Sequence, residues 1–180
     1  TLEIMINNIP KSNETHIKWA TDVTAMNFVL NGTWSRDSMF IKDIEVQILA
    51  KWIAATSNEV FAVKLVSDSW DELWVILWDN LTNWVAKFTG LTWEHSPSVG
   101  AYFFVKLDLA DNDLAVSNSP ISAHFVWARI EDLNNNKLSF AEGELDIPVA
   151  SEKDITVITT WEISIEFDIN AQHNSNDKVI

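Results

Sequence analysis

Lys137 is the residue of this chain whose position raises the sharpest chemical question. It follows three consecutive asparagines in HFVWARIEDLNNNKLSFAEGEL, residues 124–145, where two candidate strands fold about a polar turn. A lysine held dry between Trp127 and Phe140 would give up its proton more readily, because burial disfavours the charged form, and a neutral amine can coordinate a metal. In solvent the same side chain is an ordinary surface cation. The choice between these environments separates a cofactor holder from a plain β-domain.

Other residues with ligand chemistry are scattered. The four histidines, His16, His95, His124 and His173, do not stand at zinc-site spacing. His95, in TWEHSPSVG, sits in a loop from which an imidazole can point into a cavity. His124 falls in a strand pattern with Val126 and Ala128, where a core histidine with a satisfied ring is expected. Met5, Met26 and Met39 are the only methionines and read as core filler. Ten tryptophans are more than a core of this size needs, although the core is the expectation for any one of them. Trp84 and Trp93 flank a loop-like stretch and are the expected ligand wall. There is no nucleophile elbow, phosphate-binding loop or dinucleotide fingerprint. Carboxylate pairs such as Asp68 with Asp71 or Glu142 with Glu144 arise freely in an acidic chain, so hydrolysis is not expected and the chain is not read as an enzyme.

The bulk properties narrow the field. At 180 residues, 47% of them hydrophobic, the chain suits a single domain, 1–180, with one core. A formal charge of −14, from 26 Asp and Glu against 12 Lys and Arg, argues against nucleic acid, which needs clustered cations. Without cysteine there is no disulfide, no thiolate zinc site and no c-type haem attachment, so any haem is non-covalent. No apolar run is long enough to span a bilayer as a helix. Thr1 fits a chain trimmed by leader removal or otherwise, and sequons at Asn13, Asn31 and Asn80 fit an extracytoplasmic, secreted or cell-surface glycoprotein.

The elements that must position these residues are strands. WEISIEFDI (161–169) alternates apolar and polar residues over its whole length, the signature of a strand with one wet face. Related runs occupy 2–9, 23–30, 44–52, 59–67, 72–78, 101–109 and 121–130, with a less regular one over 137–147 interrupted by Gly143. Asn, Asp, Ser and Pro separate them. The expected class is all-β, an antiparallel two-sheet β-sandwich of immunoglobulin or jelly-roll type, with the terminal strands 2–9 and 155–169 available for assembly by strand addition.

The succession GAYFFVKLDL, ADNDLAVSNSP and ISAHFVWARIEDLNNNKLSFAEGELDI, with IKWATDVTAMNFVL before it, resembles the haem-b-binding subunit family typified by the gamma subunit of ethylbenzene dehydrogenase, over residues 15–147. That resemblance implies an electron-transfer domain holding one haem b. It implies Lys137 on the iron, with Met26, His95 or His124 opposite because the family's mid-chain methionine has no counterpart, and Trp127 packing the macrocycle. The partner would be a redox subunit or further copies of the chain. The competing reading is a cofactor-free surface module, either a filament subunit or a carbohydrate-binding module that uses Trp platforms.

Overall fold

The computed structural model describes residues 2–7, 13–32, 38–50, 53–69, 72–77, 84–95, 100–111, 119–138, 149–150 and 154–158. Asn80, Phe140, Gly143, His173 and the expected strand over 161–169 lie outside that set. Through the described residues run β1 (Leu2–Asn7), β2 (Glu14–Ile17), β3 (Val23–Gly32), β4 (Met39–Ala50), β5 (Ile53–Ala54), β6 (Val60–Ser67), β7 (Glu72–Leu77), β8 (Val85–Phe88), β9 (Trp93–His95), β10 (Ala101–Leu109), β11 (Ser119–Glu131), β12 (Val149–Ala150) and β13 (Ile155–Ile158). None of the described residues is helical.

The strands follow from alternation. In β10, Ala101, Phe103, Val105, Leu107 and Leu109 point inward while Tyr102, Phe104, Lys106 and Asp108 point out. Where the alternation changes phase, a β-bulge is responsible. On β4 the inward set runs Met39, Ile41, then Ile44, Val46, Ile48, because the pairing with β11 shifts register at Lys42. On β11 it runs Ile121, Ala123, Phe125, then Ala128, Ile130, with a shift between Phe125 and Trp127. The second bulge turns Trp127 outward, whereas an uninterrupted period of two would have buried it.

Two sheets result. One has the order β1-β3-β10-β6-β7, all neighbours antiparallel. The other has the path β2-β13-β11-β4-β5, with β12 on β11 and with β8 and β9 along the far flank of β4; β2 and β13 are parallel. Taken in chain order, β1-β3-β10-β6 occupy the places of A, B, E and D in an immunoglobulin-type sandwich, and β13-β11-β4 those of G, F and C. β7 to β9 form an insertion between D and E that crosses from one sheet edge to the other. Over the described residues both terminal segments are used inside the sandwich, β1 as a sheet edge and β13 between β2 and β11.

Phenylalanine fills the centre. Phe28 on β3 stacks on Phe103 of β10 at 5.4 Å and meets Phe125 of β11, in the opposite sheet, at 5.2 Å and 60°. Phe28, Phe88, Phe103 and Phe125 are all fully buried. In immunoglobulin domains strands B and F are joined by a disulfide; here the equivalent strands carry Phe28 and Phe125, and the chain has no cysteine. At the start of β10, Gly100 has φ +78°, and a Cβ there would overlap Asn31 Oδ1 and come within 2.9 Å of Val29 Cγ1, so glycine is required for conformation and for space.

Phe28→Ala removes a ring in contact with both Phe103 and Phe125. It is expected to cost about 3–5 kcal/mol in denaturant unfolding; a loss below about 1 kcal/mol would show that the sheets do not depend on this contact.

Candidate functional site

Lys137 closes a turn. Asp132 Oδ1 accepts the backbone N–H groups of Asn134 and Asn136, each at 2.8 Å, and Oδ2 accepts the Asn136 side-chain amide at 2.9 Å. Asn135 takes φ +61°, a conformation asparagine tolerates better than most residues. These bonds, led by that from the Asn136 side chain, hold the Asp132 carboxyl below its ordinary pKa. The asparagine run is therefore explained by turn chemistry. Lys137 follows it as an isolated bridge partner of Glu131 and is exposed, so the dry niche expected between Trp127 and Phe140 is replaced by solvent on the lysine side.

The other expected ligands do not gather around it. Met26 is fully buried between the sheets, on β3. His124 stands on the outward face of β11, opposite Gln47, with Nε2 2.9 Å from Ser122 Oγ. Burial lowers its pKa, opposed by the charge of Asp154. His95 lies on the edge strand β9, paired with Met39, rather than in a loop. Trp127 is on the outer face, opposite Glu45. The expected haem site needs two axial ligand atoms converging on one iron within a slot in the roughly 300–1,000 Å³ range of ligand pockets. A core methionine, an outward histidine and an exposed lysine do not fit that requirement. Among the described residues no group of three His, Cys, Asp or Glu side chains is placed to hold a metal ion.

Tryptophan occupies a different place from the one expected. Trp19, Trp74, Trp84 and Trp127 are 48%, 43%, 39% and 41% exposed, and Trp93 is half-buried. No tryptophan is among the largest fully buried side chains of the described residues. Trp19 and Trp84 have φ of +64° and +68°, a left-handed backbone that is unusual for a bulky residue. Lys18 Nζ sits 5.4 Å from the Trp19 ring centroid and 3.4 Å from Asp111. Trp127 is flanked by the Lys87–Glu45 pair at 3.2 Å and the Arg129–Asp43 pair at 2.7 Å.

At the open edge between the sheets, Trp74, Gly90, Leu91, Thr92 and Trp93 line a cleft of about 170 Å³. Trp74 comes from β7, the edge of the first sheet, and Trp93 from β9, on the edge of the second. The Trp93 ring meets Phe103 edge-on at 6.3 Å, while its Nε1, shut off from solvent, has no hydrogen-bond acceptor. The intervening turn is fixed from below. The Gly90 N–H donates to Asp43 Oδ1 at 3.1 Å, the Leu91 N–H donates to Lys42 O at 2.8 Å, and Asp43 is itself held by Arg129. Gly90 has φ +71° and nothing within 4 Å of where a Cβ would stand, so it is there for conformation and leaves open space above it. Of the expected ligand wall, Trp93 lines this cleft; Trp74, which faces it across the sheet edges, takes the place expected of Trp84. Only the full chain path, with β7 and β9 brought together from different sheets, reveals that pairing.

The sequons differ in access. Asn13 is exposed, its Oδ1 accepting the Asp154 N–H at 3.2 Å, whereas Asn31 is half-buried with Oδ1 pressed against Gly100. No helix among the described residues is long and apolar enough to cross a membrane.

No family model matches the chain and no curated protein does. Among solved structures, it is similar at 10% identity and a TM-score of 0.38 to a chain of a type I cohesin–dockerin complex from Clostridium thermocellum, covering 88% of this chain and 99% of that one. It is also similar, at 10% identity and a TM-score of 0.31, to the CupB6 tip adhesin from Pseudomonas aeruginosa, over 75% of this chain and 43% of that one.

Two outcomes follow from this geometry. Because the folded pKa of His124 lies below the unfolded value near 6.5, the unfolded chain binds the proton more readily. Stability is therefore complete above that pH and declines as pH falls through the folded pKa; melting curves across this window should show the decline, and His124→Gln should flatten it. In a glycosylating host, peptide mass spectrometry should find Asn13 modified and Asn31 bare; a glycan on Asn31 would mean that its packing against Gly100 opens readily.

Proposed function

We propose that this protein is a non-enzymatic, cofactor-free surface module of the extracytoplasmic space that binds glycans through tryptophan side chains held out from an immunoglobulin-type sandwich. The observation that carries this reading is the division of aromatic labour. The fully buried rings are the phenylalanines Phe28, Phe88, Phe103 and Phe125, while four of the five described tryptophans stand more than a third exposed; among the phenylalanines Phe61 is exposed too, at 57%, and Phe40 and Phe104 are half-buried. An exposed indole offers a flat apolar face and one N–H donor, which suits the C–H face and hydroxyl oxygens of a sugar. Left-handed backbone at Trp19 and Trp84 costs on the order of 1–3 kcal/mol each, a cost that exposure alone does not offset and that contact residues would explain. The acidic charge of −14 favours neutral over anionic glycans.

The test has two readings from one preparation. The purified native chain should show no Soret band. It should also be retarded in gels containing at least one soluble neutral polysaccharide built on glucose, xylose, mannose or galactose. A reducible Soret band, or uniform failure to bind such polymers, would contradict the proposal.

A further inference from the structure

The outer face of the second sheet carries a more specific inference, which rests on the glycan-binding reading above and assigns it a site. Cross-strand register lays out three rows of side chains there. Trp127 on β11 stands opposite Glu45 on β4, and Glu45 stands opposite Lys87 on β8. On one side of that row lie Arg129 and Asp43; on the other lie His124, Gln47 and Val85. Two observations set this face apart. The first is that a bulge brings the indole out. Phe125 is buried in the core and Val126 is the extra residue, so Trp127 resumes the pairing on the outer face, exposed, above paired strands rather than at a turn. Bulges re-aim side chains in this way beside functional sites. The second is unused hydrogen-bonding capacity on either side of the ring. Gln47 is half-buried, and its amide has no partner among the described residues. Arg129 turns Nε toward Asp43 Oδ2 at 2.7 Å, while its terminal amino groups donate to no described residue and its side chain is partly open to solvent.

We propose that this face binds an extended neutral polysaccharide laid across β11, β4 and β8, with the C–H face of one sugar ring on Trp127 and the hydroxyls of that ring and its neighbours on Glu45, Gln47, Lys87 and Arg129. The side chains match a hydroxyl-rich ligand. A carboxylate accepts from a hydroxyl, an ammonium or guanidinium donates to one, and the Gln47 amide does both. Their charges balance, because Glu45 pairs with Lys87 at 3.2 Å and Asp43 with Arg129. The face therefore lacks the excess of cations that a polyanion needs, and the net charge of −14 adds repulsion. The same ion pairs hold the long side chains in place before the ligand arrives, which limits the ordering cost of binding. A peptide fits less well. The β4 backbone beneath is already paired on both sides, to β11 and to β8, so a peptide cannot add to it as a strand. The three rows carry one indole, whereas extended proline-rich segments dock in grooves lined by aromatic rings.

The experiment compares wild type, Trp127→Ala, Gln47→Ala and Leu133→Ser, the last an exposed hairpin-tip control. Each is titrated with the neutral polysaccharide that retards the wild type, with an acidic polyuronate and with a proline-rich peptide, and melted in parallel. Trp127→Ala should weaken neutral-glycan binding at least tenfold and Gln47→Ala at least threefold, and Leu133→Ser should leave it within twofold. A second readout needs no variant to fold. In the wild type, saturating polysaccharide should shield Trp127 from N-bromosuccinimide oxidation, followed by peptide mass spectrometry, while Trp74 reacts as fast as in the free chain. If Trp127 stays unshielded and Trp127→Ala binds normally while Trp19→Ala, Trp74→Ala or Trp84→Ala abolishes binding, the glycan-binding reading survives and the assignment to this face is overturned. Binding by wild type of the peptide alone, or of the polyuronate in preference to neutral polymers, overturns the ligand class. A wild type that binds none of the probes overturns both.

Discussion

The contact between Phe28 and Phe125 is the constraint on which the rest of this structure depends. It joins the two central strands of opposite sheets, β3 and β11, at the place where an immunoglobulin domain relies on a disulfide. Phe103 stacks on Phe28 from the neighbouring strand and meets Trp93 from the far edge. Aromatic pairs add about 0.5–1.5 kcal/mol each beyond the area they bury. A chain without cysteine can hold its sheets together in this way because the rings supply burial and a preferred geometry at once, and they do so without a polar atom that would need a partner in the core.

Filling the centre with phenylalanine leaves tryptophan for elsewhere. The described indoles lie at the outer face of β11, at the turns beside β3 and β8, and along the open edge between β7 and β9. Specific devices put them there. A bulge before Trp127 switches the facing of β11, and left-handed backbone carries Trp19 and Trp84. Ion pairs occupy the outer surface as well, including Lys64, held by Asp22 and Asp108 at 2.9 Å each. Burial works against the charge on Lys64, but hydrogen bonds and charge attraction from both carboxylates outweigh it and raise the pKa. The outcome is an acidic surface with isolated apolar platforms, the feature on which the proposed glycan binding rests.

Much of this fold was legible in the sequence because a half-buried strand writes its own period. The run over 101–109 matches β10 residue for residue, and those over 59–67, 72–78 and 121–130 fall within a residue or two of β6, β7 and β11. What could not be read was whatever breaks that period. The first five residues of β4 were missed because the pattern changes phase at Lys42. β2, β8 and β9 are too short, at 3 or 4 residues, to show periodicity. Trp127 was expected inward because nothing in HFVWARI announces a bulge. Lys137 drew notice as a lone cation after NNN, and the resemblance to the haem-b family put that family's iron-binding lysine there. The better account is that an Asp132 carboxylate receiving three hydrogen bonds needs amide donors spaced in this way. The candidate cleft was half legible: Trp93 was recognisable from its setting, but Trp74 joins it only through sheet topology.

Solvent access of individual side chains tests the central claim most directly. Hydroxyl-radical footprinting read by mass spectrometry should oxidise Trp19, Trp74, Trp84 and Trp127 rapidly and leave Phe28, Phe103 and Phe125 protected until the chain unfolds. Protection of Trp74 and Trp127 to the level of those phenylalanines would place the indoles in the core after all, and would remove the physical basis for a tryptophan-faced binding module.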